Sequence, residues 1–279
     1  MWGNVTAELF KLVKRPANWL LLAVALVLGL LFTYVIPYAG YRSGTGGPTA
    51  DRGLAAMIPA QLVGNSVAGL PVFLGAILVI LGVLAVGSEY GWDTLKTLFT
   101  QRPGRVRVFA AKLAALGVVL VPFVVALFAA GAVASTVIAQ IEHASMQWPS
   151  AWLLVRALAA GWLILATWAA LGALLGVLTR GTSLAIGIGI LYALVIEGLL
   201  SAFADSVSVL EPLTQMFLRA NGYSLATALG ATVESIQSNG PGAYSGPIVG
   251  SAQALAALVA TAAVFAGAAA LILRRRDVE

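Results

Sequence analysis

The stretch "LAALGVVLVPFVVALFAAGAVASTVIA", residues 113–139, contains 27 consecutive positions without a charged side chain. The hydrocarbon core of a lipid bilayer is about 30 Å thick, and an α-helix needs about 20 apolar residues to cross it. A run of this length and composition therefore predicts a transmembrane helix. It places the chain among membrane proteins before any other feature is considered.

Five further apolar runs of similar character lie along the 279-residue chain. Hydrophobic residues make up 60% of the sequence and charged residues only 10%, with a mean hydropathy of +0.96, whereas soluble domains carry roughly 25% charged residues. This composition predicts an all-α polytopic membrane protein, with one transmembrane domain over residues 1–279. The six predicted spans are residues 18–38, 67–87, 113–139, 152–178, 183–203 and 251–273.

The distribution of Lys and Arg predicts how these spans are oriented. If the N-terminus lies inside, the cytoplasmic segments hold twelve of the sixteen basic residues. Both termini are therefore expected in the cytoplasm. The net charge of +5 follows from this topology and requires no nucleic-acid partner. The chain has no cysteine, which excludes disulfides and cysteine metal sites.

Three segments outside the spans carry their own patterns. Residues 1–17 place apolar and polar side chains on opposite helical stripes, which predicts an interfacial helix; a plain polar leader is the alternative. Residues 39–66 begin with a Gly/Ser/Pro cluster, which predicts a flexible loop. Residues 204–250 contain two short amphipathic pieces, which predict a structured outer segment at the interface or between neighbouring helices.

The longest predicted cytoplasmic loop, residues 88–112, combines an acid, a short amphipathic segment and several basic residues. Trp92, Leu95 and Phe99 recur at helical spacing, and Pro103 with the glycine after it ends the pattern. The residues thus predict a helix of about two turns on the inner face of the membrane. From the pattern alone, an interfacial helix in an ordinary positively charged loop explains the segment equally well.

The order of residues in this loop resembles the E-Y…G-T-[LR]…L…P-x-S-R…K pattern of ABC-2 type transporter permeases. These are exporter subunits related to the bacitracin-resistance and sodium-export permeases. The match covers about 25 residues and ends at Lys112; the sequence departs from the pattern at Asp93 and Gly104. The resemblance implies a coupling helix at about residues 92–100 and a set of ATPase-coupling residues: Glu89, Trp92, Thr94, Leu95, Lys96, Leu98, Phe99, Arg102 and Arg105.

The same resemblance implies partners and a location. The chain would pair with a second permease chain, identical or different, and bind two ABC ATPase subunits in the cytoplasmic membrane of a bacterium. No GxxxxGK[ST] phosphate-binding loop occurs in the sequence. ATP and magnesium are therefore expected on the partner ATPase, with no cofactor and no enzymatic activity in this chain. The transported substrate is not readable from the residues.

One acidic residue, Glu197, lies well inside a predicted span. Intramembrane carboxylates are costly and usually face a cavity or a partner, so Glu197 either bonds a neighbouring element near the outer interface or lines a substrate path. The second possibility supports an alternative function, a gradient-driven secondary transporter or channel. An enzymatic function is not supported, because the sequence has no cluster of catalytic side chains. A scaffold function would use the same inner loop without transport.

Gly172 and Gly176 form a GxxxG spacing in the fourth predicted span. This spacing allows two helix backbones to approach closely. In a chain with 30 glycines, chance or packing between helices of the same chain explains it, and no function is assigned to it.

Overall fold

The computed structural model describes residues 2–44, 53–70, 74–91, 104–203, 210–232 and 248–275, which are helical or connect helices. Two five-residue π-helical turns interrupt the helical runs, Leu31–Val35 in the first span and Tyr192–Ile196 in the fifth. The α-helices are α1 (Trp2–Lys14), α2 (Pro16–Leu30), α3 (Ile36–Ser43), α4 (Leu62–Ala68), α5 (Gly75–Gly91), α6 (Arg105–Ile141), α7 (Ala151–Thr179), α8 (Ser183–Leu191), α9 (Glu197–Phe203), α10 (Leu210–Thr214), α11 (Leu218–Ala228) and α12 (Ser251–Arg275).

The prediction of an all-α polytopic membrane protein is confirmed. Among the described residues, five helical runs are long and apolar enough to cross a bilayer: Pro16–Ser43, Arg105–Ile141, Ala151–Thr179, Ser183–Leu200 and Ser251–Arg275. The remaining predicted span, residues 67–87, overlaps a shorter apolar helix, and its bounds stay a prediction. The apolar helix here is α5, which begins at Gly75 and ends at Gly91, and a separate helix, α4, precedes it.

The prediction of a flexible loop at residues 39–66 is wrong in part. Helix α3 continues through the first residues of the Gly/Ser cluster and ends at Ser43. Gly44 then adopts a left-handed conformation, with φ of 62°, which glycine reaches without a steric cost. Two 3₁₀ turns precede α4, so much of the described remainder is helical.

The centre of the fold is the contact between α5 and α7. A Cβ atom on Gly172 would overlap the carbonyl oxygen of Val79, and a Cβ on Gly82 would overlap that of Ala169. The two backbones can approach this closely only because both glycines lack a side chain. The GxxxG spacing therefore serves packing within the chain. Trp168 is fully buried beside these contacts.

The outer segment between the fifth and sixth spans is structured, as predicted, where the structure describes it. Helix α11 is buried over residues 218–226 and packs against α4, α7 and α12. Its middle is bonded to the segment that leads into the last span, because the Val249 backbone amide donates to Ser224 Oγ at 2.9 Å. Of the two predicted arrangements, the structure supports packing against neighbouring helices.

Candidate functional site

Four charged side chains from three helices meet at the predicted cytoplasmic end of the molecule. Lys112 of α6 bonds Glu89 of α5 and lies 2.8 Å from an oxygen of Glu8 in α1. Lys11 of α1 lies 2.8 Å from the other Glu8 oxygen and 3.1 Å from Glu89. We call Glu8, Lys11, Glu89 and Lys112 the inner charge cluster. Each lysine contacts both carboxylates, so the four charges balance.

The inner charge cluster is largely shielded from solvent. The side chains of Glu89 and Lys112 are 3% and 4% exposed, and α1 covers them with the helical stripe that carries Glu8. Removing two charges from water costs several kcal/mol per ion, and only close pairing with additional hydrogen bonds offsets the loss. The pairing is therefore a requirement for α1 to dock here.

The cluster also shifts the pKa values of its more accessible members. Burial alone would raise the pKa of Glu8, but the charge of Lys112 and hydrogen bonds from both lysines lower it below its ordinary value. Burial alone would lower the pKa of Lys11, but bonds and attraction from Glu8 and Glu89 raise it. Both groups are therefore held in their charged forms near neutral pH.

A second set of contacts fixes the junction between α1 and α2. The Arg15 guanidinium donates to the carbonyl oxygen of Leu84 at 2.7 Å and to Ser88 Oγ at 2.9 Å, both in α5. Asn18 donates to the carbonyl oxygen of Leu12 at 2.7 Å, which closes the turn. Helix α1 is thus bonded to α5, the helix that leads into the predicted cytoplasmic loop.

The position of the cluster along the chain places it beside the predicted coupling loop. Glu89 lies two residues before the end of α5, and Lys112 lies two turns into α6. The segment between these helices is the predicted coupling loop. The Glu89–Lys112 bond therefore closes the base of this loop, and Glu8 and Lys11 attach the interfacial helix to the same point.

The structure describes two of the nine predicted coupling residues. Glu89 is buried in the cluster, and Arg105 begins α6. The predicted coupling helix, about Trp92 to Thr100, lies outside the described residues. The other predicted coupling residues, which also lie outside, are Thr94, Leu95, Lys96, Leu98, Phe99 and Arg102.

Sequence reasoning missed that Glu8, Lys11 and Lys112 meet Glu89. It predicted an interfacial helix over residues 1–17, counted the lysines among the basic residues that indicate topology, and used Lys112 as the end of the family pattern. A usable signal was present, because Glu8 and Glu89 are two of only three acidic residues on the predicted cytoplasmic side before the C-terminal tail. Acids at the inner interface among many cations are expected to pair.

Glu197, the predicted intramembrane acid, is fully buried at the start of α9. Its two oxygens accept hydrogen bonds from the backbone amides of Leu218 and Arg219, each at 2.9 Å, and the Tyr192 side chain also bonds it. The carboxylate therefore caps the N-terminus of α11, where a negative charge is favoured. Of the two possibilities for Glu197, the structure supports the bond to a neighbouring element. A role on a substrate path stays a prediction.

A third polar contact joins the far ends of the first and third spans. The Tyr38 hydroxyl donates to Glu142 at 2.8 Å, and Arg42 pairs with the same carboxylate oxygen at 3.1 Å. The Arg42 side chain is 62% exposed, so the ion pair is solvated. An exposed pair of this kind contributes little to stability.

This arrangement defines a multi-pass helical membrane protein in which α1 is bonded to the base of the predicted cytoplasmic loop. The sequence profile described as "ABC-2 family transporter protein" matches residues 4–196. The match covers more than half of the chain, and the protein belongs to the ABC-2 family of transporter proteins. No individual curated protein shows significant similarity to the chain.

The family membership confirms the resemblance seen in the loop. The matched residues run from α1 to the π-helical turn before Glu197 and include all members of the inner charge cluster. Proteins of this family are the membrane components of ABC transporters, are not themselves catalytic, and typically work with ABC ATPase partners. The bacitracin-like subtype stays a prediction.

Proposed function

We propose that this permease is the membrane subunit of an ATP-driven exporter and that it takes its driving force from a separate ATPase through residues 88–112. The observation that carries the proposal is the inner charge cluster. It bonds the two helix ends that flank the loop, α5 and α6, to the interfacial helix α1. A movement of the loop caused by the ATPase would therefore be transmitted to α5, α6 and α1 together.

The proposed complex contains two permease chains, identical or different, and two ATPase subunits that carry ATP and magnesium. Both termini of the permease lie in the cytoplasm, as the Lys and Arg distribution supports, and the host membrane is a bacterial cytoplasmic membrane. The alternative, a gradient-driven transporter using Glu197, receives no support from geometry, since both carboxylate oxygens of this residue accept backbone hydrogen bonds.

Recruitment and coupling require separate tests. Leu95→Asp with Leu98→Asp places charges on the apolar stripe predicted to contact the ATPase. Burial of one such side chain is worth about 1.5 to 3 kcal/mol, so we expect the double variant to insert normally but to lose ATPase co-purification. Co-purification at the wild-type yield would contradict the assignment of the loop as the docking element.

Glu89→Gln tests the coupling step. We expect the ATPase to remain bound while ATP hydrolysis no longer responds to the permease, because the base of the loop is loosened without altering its apolar stripe. Glu142→Gln, the same substitution in the exposed pair at the other end of the molecule, is the matched control and should leave hydrolysis unchanged. Nucleotide binding by the isolated permease, or unchanged hydrolysis in Glu89→Gln, would refute the proposal.

A further inference from the structure

A polar cleft opens between the first span, α4 and the third span, away from the inner charge cluster. We define it by Thr33, Tyr34, Asn65 and Ser66, with Gly131 at its back. Thr33 lies 17 residues after the first residue of α2, about 26 Å along the helix at 1.5 Å per residue. The polar cleft is therefore set deep along the span, toward its far end.

The four polar side chains of the polar cleft are neutral hydrogen-bonding groups, and its other nine lining residues are glycine or apolar. They are three hydroxyls and one carboxamide, and no Asp, Glu, Lys, Arg or His is among the lining residues. Ser66 Oγ is buried and has no hydrogen-bond partner among the described residues. Buried polar atoms are nearly always hydrogen bonded, so this hydroxyl points to a bound group that completes the site.

The dimensions of the polar cleft restrict what such a group can be. A water-sized sphere can occupy about 30 Å³ of the polar cleft, and one water needs roughly 10 to 15 Å³ measured in this way. The cleft therefore has room for a group the size of about two or three waters, such as a hydroxyl-bearing head group. Its open side is bordered by Leu26, Leu30 and Leu127, so an attached alkyl chain would lie outside the cleft along these leucines.

We propose that the polar cleft binds a neutral amphipathic molecule, its hydroxyl group beside Ser66 and its alkyl chain along the leucines. A charged head group is excluded because no opposite charge lines the site and burial of an unpaired charge is costly. The proposal goes beyond the proposed function and does not depend on it, since binding requires no ATPase. Exported cargo and resident lipid share this chemistry.

The test uses a long-chain alcohol with a photoreactive diazirine on its alkyl chain and the fatty acid of matched length as the charged counterpart. Each probe is added to the full chain in lipid nanodiscs, and labelled peptides are mapped by mass spectrometry. We expect the alcohol to label the peptides around Leu30 and Leu127 at least fivefold more than the acid does. Equal labelling by both probes, or labelling confined to other helices, would overturn the proposal.

Two variants probe the site itself. Ser66→Ala removes the hydroxyl and no hydrogen bond within the described fold, and we expect labelling to fall about fivefold, as for one net hydrogen bond. Gly131→Ala places a Cβ 3.2 Å from Ser66 Oγ and from the Tyr34 hydroxyl, which narrows the space and should reduce labelling similarly. Gly187→Ala, a helical glycine with nothing within 4 Å of its Cβ, is the control.

The outcomes are distinguishable. If Gly131→Ala no longer elutes as a monodisperse protein, this variant is misfolded, and the labelling of Ser66→Ala alone tests the site. Wild-type labelling in Ser66→Ala would refute binding at this hydroxyl and leave a trapped water as the occupant. A further comparison adds ATP and the partner ATPase: labelling that falls during turnover identifies the bound class as cargo, and labelling that persists identifies it as resident lipid. Both results support the site.

Discussion

Neutralising one member of the buried pair Glu89–Lys112 should destabilise the permease strongly. Loss of one partner from a buried ion pair costs about 3 to 5 kcal/mol, because the other charge is left without compensation. In Glu89→Gln, Lys112 retains Glu8 at 2.8 Å. The loss is therefore incomplete, and we expect the lower end of this range, about 3 kcal/mol in the free energy of unfolding.

A double-mutant cycle isolates the pair from other effects of the substitutions. Lys112→Gln should cost a similar amount, since Glu89 then retains only Lys11, at 3.1 Å. In the double variant Glu89→Gln with Lys112→Gln, neither charge is left uncompensated. Its cost should be smaller than the sum of the single costs by about 2 kcal/mol, within the range of coupling energies for residues in contact.

The measurement is unfolding of the purified permease in SDS titrations of mixed micelles, followed by circular dichroism. The control is Glu142→Gln, which removes the charge paired with Arg42, a side chain that is 62% exposed, and keeps an amide oxygen that can accept the Tyr38 hydroxyl; a solvent-accessible pair contributes about 0.2 to 1 kcal/mol. If Glu89→Gln cost no more than this control, or if the single costs simply added, the cluster would not hold the base of the loop and the reasoning would be wrong.

Three further predictions concern other parts of the fold. Glu197→Gln should cost about 1 to 3 kcal/mol without affecting insertion, because the amide keeps one accepting oxygen and leaves one of the two buried backbone amides unsatisfied; an unchanged SDS midpoint would contradict this. The Glu8 and Lys11 contributions should be full between about pH 4.5 and 10.5. As pH falls below 4.5 through the lowered Glu8 pKa, or rises above 10.5 through the raised Lys11 pKa, stability should decline, and a midpoint constant from pH 3 to 12 would argue against the cluster. Gly172→Ala should reduce the folded yield in membranes because its Cβ overlaps a backbone oxygen, whereas Gly187→Ala should not; equal yields would contradict the close contact.

Several features were predictable from the sequence because they depend on local composition. The long apolar runs predicted a polytopic helical membrane protein, since crossing a bilayer is a requirement on length and hydrophobicity that each segment meets by itself. The helical stripe in the first 17 residues predicted α1, which runs from Trp2 to Lys14. The residues around Glu89 predicted the family, because that resemblance is carried by the order of residues along one loop.

Other features depend on contacts between residues far apart in the chain, and only the tertiary structure decided them. Glu8 and Lys112 are separated by 104 positions, and neither pattern nor spacing indicates that they meet. Glu197 could be recognised as costly in a membrane, but not as the cap of α11. The polar cleft likewise arises from three helices. Charge and hydrogen-bond pairing in a low-dielectric interior is set by which helices pack together, so it became visible only once the helices were placed.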